Sequence, residues 1–233
     1  MTYWTNLEAH LDSLVQDGYC FLPSLKDFFN LDDVYEQCLG EMGKKNYAEN
    51  TQAHLAFVNQ SGITAELSAA LFKLAKKDFG YQGTEENQYH VSRLVRPGKI
   101  SEGYRGHFDS HLFTLVVPIQ IPSGTNSEEA GELLFFPGIR NEPTGELSNF
   151  YGKLFYKKFA MQSGFESLAR SNSLIVADFK DLRPLLFLGR QTFHGNKPVS
   201  SSLHKNRLTL LSHFFDPSPR WGAGNILRKI RLR

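Results

Sequence analysis

The interval between apolar residues changes near residue 88, and this change limits the folds open to the chain. Upstream, apolar residues recur every three or four positions, which is the period of an amphipathic helix. Downstream, short runs rich in β-branched and aromatic residues are separated by clusters of Gly, Pro, Asn and Ser, which is typical of strands joined by turns. The sequence therefore predicts a helical flank followed by an all-β region.

Three helices are predicted in the flank. The first starts at a capping box, Thr5 to Glu8, and ends at Gly18. The second starts after Asn30, and the third covers residues 64–79. Their inward side chains are predicted to be Leu7, Leu11, Leu14 and Val15, then Val34, Tyr35, Cys38, Leu39 and Met42, then Leu67, Leu71 and Leu74.

Seven runs in the second region are predicted to be strands: residues 89–95, 112–121, 132–136, 173–179, 185–188, 191–194 and 207–215. This number suits a mainly β fold, a cupin-like double-stranded β-helix or jelly roll, with the N-terminal helices packed on its outside. The segment 150–165 fits helix or strand equally well, and the polar loop 122–130 is expected to be exposed. We expect one domain, with a flank at 1–85, a core at 86–216 and a basic tail at 217–233.

Composition adds few limits. With 233 residues, 41% of them hydrophobic, the chain can bury a sizeable core, and a net charge of +2 gives no strong case for nucleic acid or a membrane as partner. Cys20 and Cys38 have no disulfide or zinc spacing and are expected to be buried thiols in a reducing compartment. Since neither a signal peptide nor an apolar run of about 20 residues is evident, a cytoplasmic location is expected.

Two His-x-Asp motifs are present, and their settings differ. His10 and Asp12 lie in the first predicted helix, where residues two apart point about 200° away from each other and cannot bind one ion. His107 and Asp109 follow a Gly-rich turn and lead into a predicted strand, where residues two apart share a face. Iron enzymes that activate O2 commonly bind the metal with two histidines and one carboxylate. His107 and Asp109 are therefore candidate ligands.

A second group of residues lies downstream. His194 ends a predicted strand, and Arg207 and Thr209 share a face of the last strand. An arginine can bind a carboxylate through two charge-assisted hydrogen bonds, to which a nearby hydroxyl can add a third. This spacing suggests His194 as the third metal ligand and Arg207 with Thr209 as a site for a dicarboxylate such as 2-oxoglutarate.

At these residues the chain resembles the Fe(II)/2-oxoglutarate-dependent oxygenase superfamily, in particular its phytanoyl-CoA-hydroxylase-like and prolyl-4-hydroxylase-like branches. The resemblance runs from about Tyr89 to Phe215 and includes residues 89–95, Arg96-Pro97-Gly98, residues 131–137, Phe193-His194-Gly195 and residues 207–210. It implies that His107, Asp109 and His194 bind iron and that Arg207 and Thr209 bind the C5 carboxylate of 2-oxoglutarate. Enzymes of the prolyl-4-hydroxylase-like branch often have a tyrosine near the turn before the first ligand that also contacts the co-substrate. Tyr104 is the aromatic residue nearest to that position in this sequence.

The resemblance also implies an activity. An Fe(II)- and 2-oxoglutarate-dependent dioxygenase consumes O2, oxidises an unactivated C–H bond and releases succinate and CO2. Related halogenases have a small residue in place of the carboxylate ligand, so Asp109 favours hydroxylation, desaturation or cyclisation. We expect a small-molecule substrate such as an amino acid or natural-product intermediate. A peptide or prolyl-type hydroxylase and a non-catalytic jelly-roll binding protein are the alternatives.

Several residues are candidates for substrate recognition. Arg93, Arg96, Lys99 and Arg105 cluster before the first ligand and could bind an anionic substrate. A solvated basic loop explains Arg93 equally well, and it explains the other three better. His111 shares a face with His107 and Asp109, and His213 shares one with Arg207, yet each can be a hydrogen-bonded wall residue. The oligomeric state is left open by the sequence.

Overall fold

A computed structural model of the protein describes residues 3–122, 129–143 and 145–218. The predicted polar loop lies mainly outside these residues, and so does most of the basic tail. The described strands are β1 Tyr19–Phe21, β2 Tyr47–Glu49, β3 Gln88–Val95, β4 Phe113–Gln120, β5 Leu133–Phe136, β6 Ile175–Ala177, β7 Leu185–Leu188, β8 Phe193–Asn196 and β9 Arg207–Phe214. The described α-helices are α1 Leu7–Asp17, α2 Leu31–Met42, α3 Gln52–Gln60, α4 Ser68–Phe79, α5 Glu146–Lys157 and α6 Gln162–Ala169.

The strands form two antiparallel sheets. Six strands pair in the order β1-β7-β4-β9-β3-β2, and three pair in the order β6-β5-β8. Apolar side chains from both sheets, among them Val116, Leu133 and Phe187, form a shared cluster. The fold is the predicted double-stranded β-helix.

The alternation of side chains along β9 explains how one strand serves two environments. Leu208 and Leu210 are fully buried against the helical layer, whereas Arg207, Thr209 and His213 point to the other face and line a cavity between the sheets. Successive strand residues point to opposite faces, so both sets are required by the pleat. β3 and β4 follow the same rule.

Helices α1 to α4 pack on the outer face of the six-stranded sheet, and their inward residues belong to one large core cluster. Leu14, Cys38, Met42, Leu67 and Leu71 are all buried, as predicted. Cys20 on β1 is buried as well, and both cysteines are free thiols. The packing confirms the helical flank on the outside of the sheet.

The helical flank differs from the prediction in the start of α1, in one residue predicted to be buried and in the number of short elements. The N-cap of α1 is Asn6, one residue after Thr5, with which the predicted capping box starts, and Asn6 makes no side-chain cap hydrogen bond. Val15 is 48% exposed and lies outside the buried stripe. The predicted third helix consists of a π-helical turn, Ile63–Leu67, followed by α4. The short elements α3 and β2 were not predicted.

The segment that fitted helix or strand equally well is helical: it contains most of α5 and the first half of α6. It lies between β5 and β6, beside the cavity. None of the helices in the described ranges combines the length and apolar character that a membrane span needs.

Candidate metal centre

His107, Asp109 and His194 come together at one end of the cavity. The Nε2 atom of His107 lies 3.6 Å from Asp109 Oδ1, and the Nε2 atom of His194 lies 3.6 Å from Asp109 Oδ2. One ligand atom from each of the three residues can be chosen so that all lie within 4.8 Å of one another. Two imidazole nitrogens and a carboxylate at this spacing can bind one divalent ion.

Backbone hydrogen bonds hold the two histidines side by side. The His107 N–H donates to the His194 carbonyl at 2.9 Å, and the His194 N–H donates to the His107 carbonyl at 3.0 Å. His194 belongs to β8, but His107 and Asp109 precede β4 and are not part of a regular strand. The expected strand is therefore replaced by an isolated bridge, which still turns both side chains toward His194.

The same region positions Asp109. Its N–H donates to the Gly189 carbonyl at 3.0 Å. A Cβ atom at Gly189 would lie 2.8 Å from the Thr114 hydroxyl and 3.0 Å from the Asp109 Cβ. Only glycine leaves room for this approach.

Each histidine is oriented by a carbonyl. The Nδ1 atom of His107 lies 2.9 Å from the Arg105 carbonyl oxygen, and the Nδ1 atom of His194 lies 3.1 Å from the Thr192 carbonyl oxygen. A carbonyl only accepts, so these contacts assign the proton to Nδ1 and leave the Nε2 lone pair facing Asp109. Histidine ligands of protein metal sites are commonly fixed in this way.

Asp109 is buried, with 8% of its surface exposed, and polar side chains hold its carboxylate in place. The Thr114 hydroxyl donates to its Oδ2 atom at 2.6 Å, and the Nδ1 atom of His213 lies 3.7 Å from the same oxygen. Burial raises the pKa of the Asp109 carboxyl, but the three neighbouring imidazoles and the Thr114 hydrogen bond together hold this pKa well below its usual range. The residue is therefore a carboxylate at neutral pH.

The His107 side chain is 48% exposed, and partial desolvation together with the adjacent His194 lowers its pKa, against the opposing effect of Asp109. Burial also lowers the pKa of His194. Both rings are therefore neutral near pH 7, which is the form that binds a metal ion.

The cavity beside this group has a volume of about 550 Å³, and Arg207 and Thr209 line its inner wall. Arg207 is 1% exposed, and its Nε atom has no hydrogen-bond partner within the described ranges. Its Nη1 atom lies 3.5 Å from the Thr209 hydroxyl. Burial and the nearby Arg93 lower the pKa of Arg207 to about 9, while Glu132 opposes the shift. A buried guanidinium whose Nε donor is unused fits a carboxylate ligand.

The strands that follow β9 in the order of the same sheet also contribute cavity residues that the sequence analysis did not single out. Tyr47 and Glu49 of β2 and Tyr89 of β3 line the cavity, and the Tyr89 hydroxyl donates to the Glu49 carboxylate. Tyr89 could have been found, because it shares the inward face of β3 with Arg93. Glu49 could not, because β2 has only three residues and its pairing with β3 joins distant parts of the chain.

Some of the candidate substrate-binding residues line the cavity and others do not. Arg93 and His111 line the cavity, where Arg93 also contacts Glu102 at 3.8 Å and the His111 ring stacks on Tyr89. Arg96 instead donates to backbone carbonyls at residues 43 and 45, and Arg105 is mostly exposed, 3.6 Å from Glu102. Neither lines the cavity.

Tyr104 lies outside the cavity as well. Its hydroxyl donates to Glu129 Oε1 at 2.8 Å, and its ring packs against Phe165. His213 lies closer to the centre than expected, because it lines the cavity and approaches both Thr114 and Asp109.

A separate groove of about 380 Å³ also has His107 in its lining. It runs between Phe108, Phe193 and the α5 side chains Phe150 and Leu154. α5 therefore borders a groove that includes the candidate ligand His107.

No protein-family model matches the sequence, and no curated protein matches it. The fold is similar to a prolyl-4-hydroxylase from Pseudomonas putida, with a TM-score of 0.54 and 15% identity over 91% of this chain and 95% of that one. It is also similar to the non-haem alpha-ketoglutarate-dependent carbocyclase SnoK from nogalamycin biosynthesis, with a TM-score of 0.53 and 13% identity over 98% and 92% of the two chains.

A third similar structure is the epimerase SnoN in complex with Fe3+, alpha-ketoglutarate and a nogalamycin compound, with a TM-score of 0.51 and 16% identity over 94% and 88% of the chains. At these identities the likeness establishes the fold. The chain has the double-stranded β-helix of the non-haem 2-oxoglutarate-dependent enzymes, and the predicted fold class is confirmed.

Proposed function

We propose that this protein is an Fe(II)- and 2-oxoglutarate-dependent dioxygenase that oxidises, by hydroxylation in the simplest case, an unactivated C–H bond of a small molecule. Succinate and CO2 would be the products of the co-substrate. The proposal is carried by one observation: the three potential ligands converge in the same cavity as a buried arginine whose Nε donor has no partner among the described residues.

The donor set fits iron. His107, Asp109 and His194 would hold the ion through Nε2, a carboxylate oxygen and Nε2, which leaves the cavity side open for other ligands. Bound iron would supply the O2 chemistry, with 2-oxoglutarate as the source of the electrons. Thr114 would fix the Asp109 carboxylate, and the carbonyls at Arg105 and Thr192 would fix the two rings.

Arg207 and Thr209 would bind the distal carboxylate of 2-oxoglutarate. Arg207 lies deep in the cavity, so its charge is poorly solvated until an anion arrives. Arg93 also lines this wall and would add a second positive charge near the co-substrate or near an anionic substrate.

The substrate would occupy the part of the cavity lined by Tyr89, Glu49 and His111. A cavity of about 550 Å³ suits a metabolite-sized ligand together with the co-substrate. A peptide hydroxylase is the second candidate, favoured by the structural likeness to a prolyl-4-hydroxylase. Both candidates use the same iron and 2-oxoglutarate residues.

Succinate formation tests the proposal. The purified protein, supplied with Fe(II), 2-oxoglutarate and O2, is screened against a metabolite library and a peptide panel, with the released succinate measured by mass spectrometry. We expect succinate that requires iron and is stimulated by a small molecule. Stimulation by peptides alone would select the second candidate, and a folded protein that forms no succinate with either set would overturn both.

A further inference from the structure

Helix α5 is anchored by one face and exposes a second apolar face. On the anchored side, the Tyr156 ring packs 5.1 Å from Phe108 and 5.6 Å from Phe193, and Asn149 accepts a hydrogen bond from Arg140 at 2.8 Å. Phe108 lies between the candidate ligands His107 and Asp109. The orientation of the helix is thus tied to the candidate centre.

The outer face of α5 is apolar where a solvated helix would be polar. Phe150, Tyr151, Leu154 and Phe155 are each more than half exposed, at 57%, 66%, 56% and 58%, and Met161 just beyond the helix is 54% exposed. We call these five residues the α5 patch. A Phe or Tyr side chain has roughly 150–250 Å² of surface, so the patch exposes on the order of 400 Å². An apolar area of this size marks a binding surface.

Two exposed lysines border the patch. Lys157 is the last residue of α5 and Lys158 is its C-cap, and Lys158 Nζ is 4.3 Å from the Phe155 ring. Lys153 instead turns inward, with its Nζ atom 3.1 Å from the Ser110 hydroxyl. Between Glu146, the first residue of α5, and Glu166 in α6 the sequence has no acidic residue, and neither Lys157 nor Lys158 has a salt bridge among the residues that the structure describes. An apolar stripe bordered by lysines is electrostatically matched to an anionic surface.

The amino-acid composition of the patch and its border favours a lipid surface over a protein as the binding partner. Protein interfaces are depleted of lysine, whereas helices that lie in the membrane interface combine lysines with Phe, Tyr and Leu. We propose that the α5 patch docks the protein onto an anionic lipid surface, with the groove to His107 opening at the docked face. Phe150 and Leu154 belong to both the patch and the groove, so an amphiphile held in that surface would reach the candidate centre without crossing bulk water.

The inference does not depend on the proposed enzymatic activity. It departs from the expectation drawn from the net charge, because an overall charge of +2 does not reveal that two exposed lysines, Lys157 and Lys158, adjoin the patch. The docking would be peripheral, since a helix of 12 residues is too short to span a bilayer.

Vesicle sedimentation tests it with the full-length protein. The wild type is mixed with extruded phosphatidylcholine vesicles, with or without a minority of phosphatidylglycerol. We expect it to sediment with the anionic vesicles and to remain in solution with pure phosphatidylcholine. The double variant Tyr151→Ser, Phe155→Ser should bind about tenfold or more weakly, since it removes two large apolar contacts. The variant Lys157→Glu, Lys158→Glu should bind only weakly, because the charge match is lost.

Matched controls use exposed residues elsewhere. Val15→Ser on α1 and Lys73→Glu with Lys77→Glu on α4 should leave vesicle binding unchanged. Absence of wild-type binding, or equal loss in patch and control variants, would overturn the proposal. So would a soluble dimer, detected by light scattering, that the Tyr151→Ser, Phe155→Ser variant converts to a monomer without any vesicle binding, because a second copy would then be the occupant.

Discussion

Asp109 is surrounded by polar groups that a purely structural carboxylate would not need. Its two oxygens face the Nε2 atoms of His107 and His194, and Thr114 donates to one of them at 2.6 Å. Because the two neighbouring imidazoles are neutral, the negative charge of this buried carboxylate is not compensated by them. A bound divalent ion would compensate it.

Replacing Asp109 or His107 by Ala should abolish iron-dependent succinate formation while the fold is retained, because a metal ligand is lost without a large change in packing. The second His-x-Asp motif provides the control, since His10 and Asp12 occupy helix α1. His10→Ala and Asp12→Ala should remain fully active. Activity retained in Asp109→Ala, with circular dichroism unchanged, would remove this residue from the centre.

Arg207→Gln should raise the Michaelis constant for 2-oxoglutarate by roughly 10- to 150-fold, because a charge-assisted hydrogen bond contributes about 1.5–3 kcal/mol. Steady-state kinetics with varied 2-oxoglutarate measure the change. Arg96→Gln is the control, since Arg96 binds backbone carbonyls outside the cavity. Equal Michaelis constants in wild type and Arg207→Gln would show that the co-substrate binds elsewhere.

At the scale of elements, prediction from sequence succeeded where the pattern is local. The strands around β3, β4, β7 and β9 have clear β texture, and a two-residue spacing on a strand fixes which side chains share a face. α5 was ambiguous because apolar side chains occur on both its anchored and exposed faces. β2 was missed because its three residues become a strand only by pairing with β3, a long-range contact that no local pattern reports.

Gly189, in the turn between β7 and β8, can be tested by substitution. Gly189→Ala would place a Cβ atom 2.8 Å from both the His111 carbonyl oxygen and the Thr114 hydroxyl. We expect it to displace Thr114 and Asp109, to lower iron affinity and to destabilise the fold by about 1–3 kcal/mol. Isothermal titration with Fe(II) under nitrogen and urea unfolding measure the two effects.

Gly40→Ala is the matched control for that substitution. A Cβ atom at Gly40, in α2, meets no atom within 4 Å, so the change should stabilise the protein slightly. If Gly189→Ala bound Fe(II) as well as the wild type does, the close approach would have no role in positioning Asp109.

Across the whole molecule, the helical layer and the six-stranded sheet bury two histidines between them. His54 of α3 and His90 on the outer face of β3 have ring centroids 5.4 Å apart. Burial is the main cause that lowers the pKa of His54 to about 3 and that of His90 to about 4. Both are neutral in the folded protein at neutral pH.

This burial predicts lower stability in mild acid. Between about pH 6.5 and pH 4 the unfolded chain binds more protons at these positions than the folded chain, so stability falls as the pH falls. Each histidine should cost about 2 kcal/mol at pH 5 relative to pH 7. Urea unfolding at the two pH values measures the loss, and a His54→Gln, His90→Gln variant should show a clearly smaller one. An equal loss in both proteins would assign the acid sensitivity to other groups.

Anaerobic titration with Fe(II) and 2-oxoglutarate, followed by visible absorption, tests the central claim most directly. If His107, Asp109 and His194 hold iron beside a co-substrate seated on Arg207, a weak metal-to-ligand charge-transfer band should appear only when both are present, and Asp109→Ala should abolish it. A folded wild-type protein that develops no band at saturating Fe(II) and 2-oxoglutarate would contradict the claim.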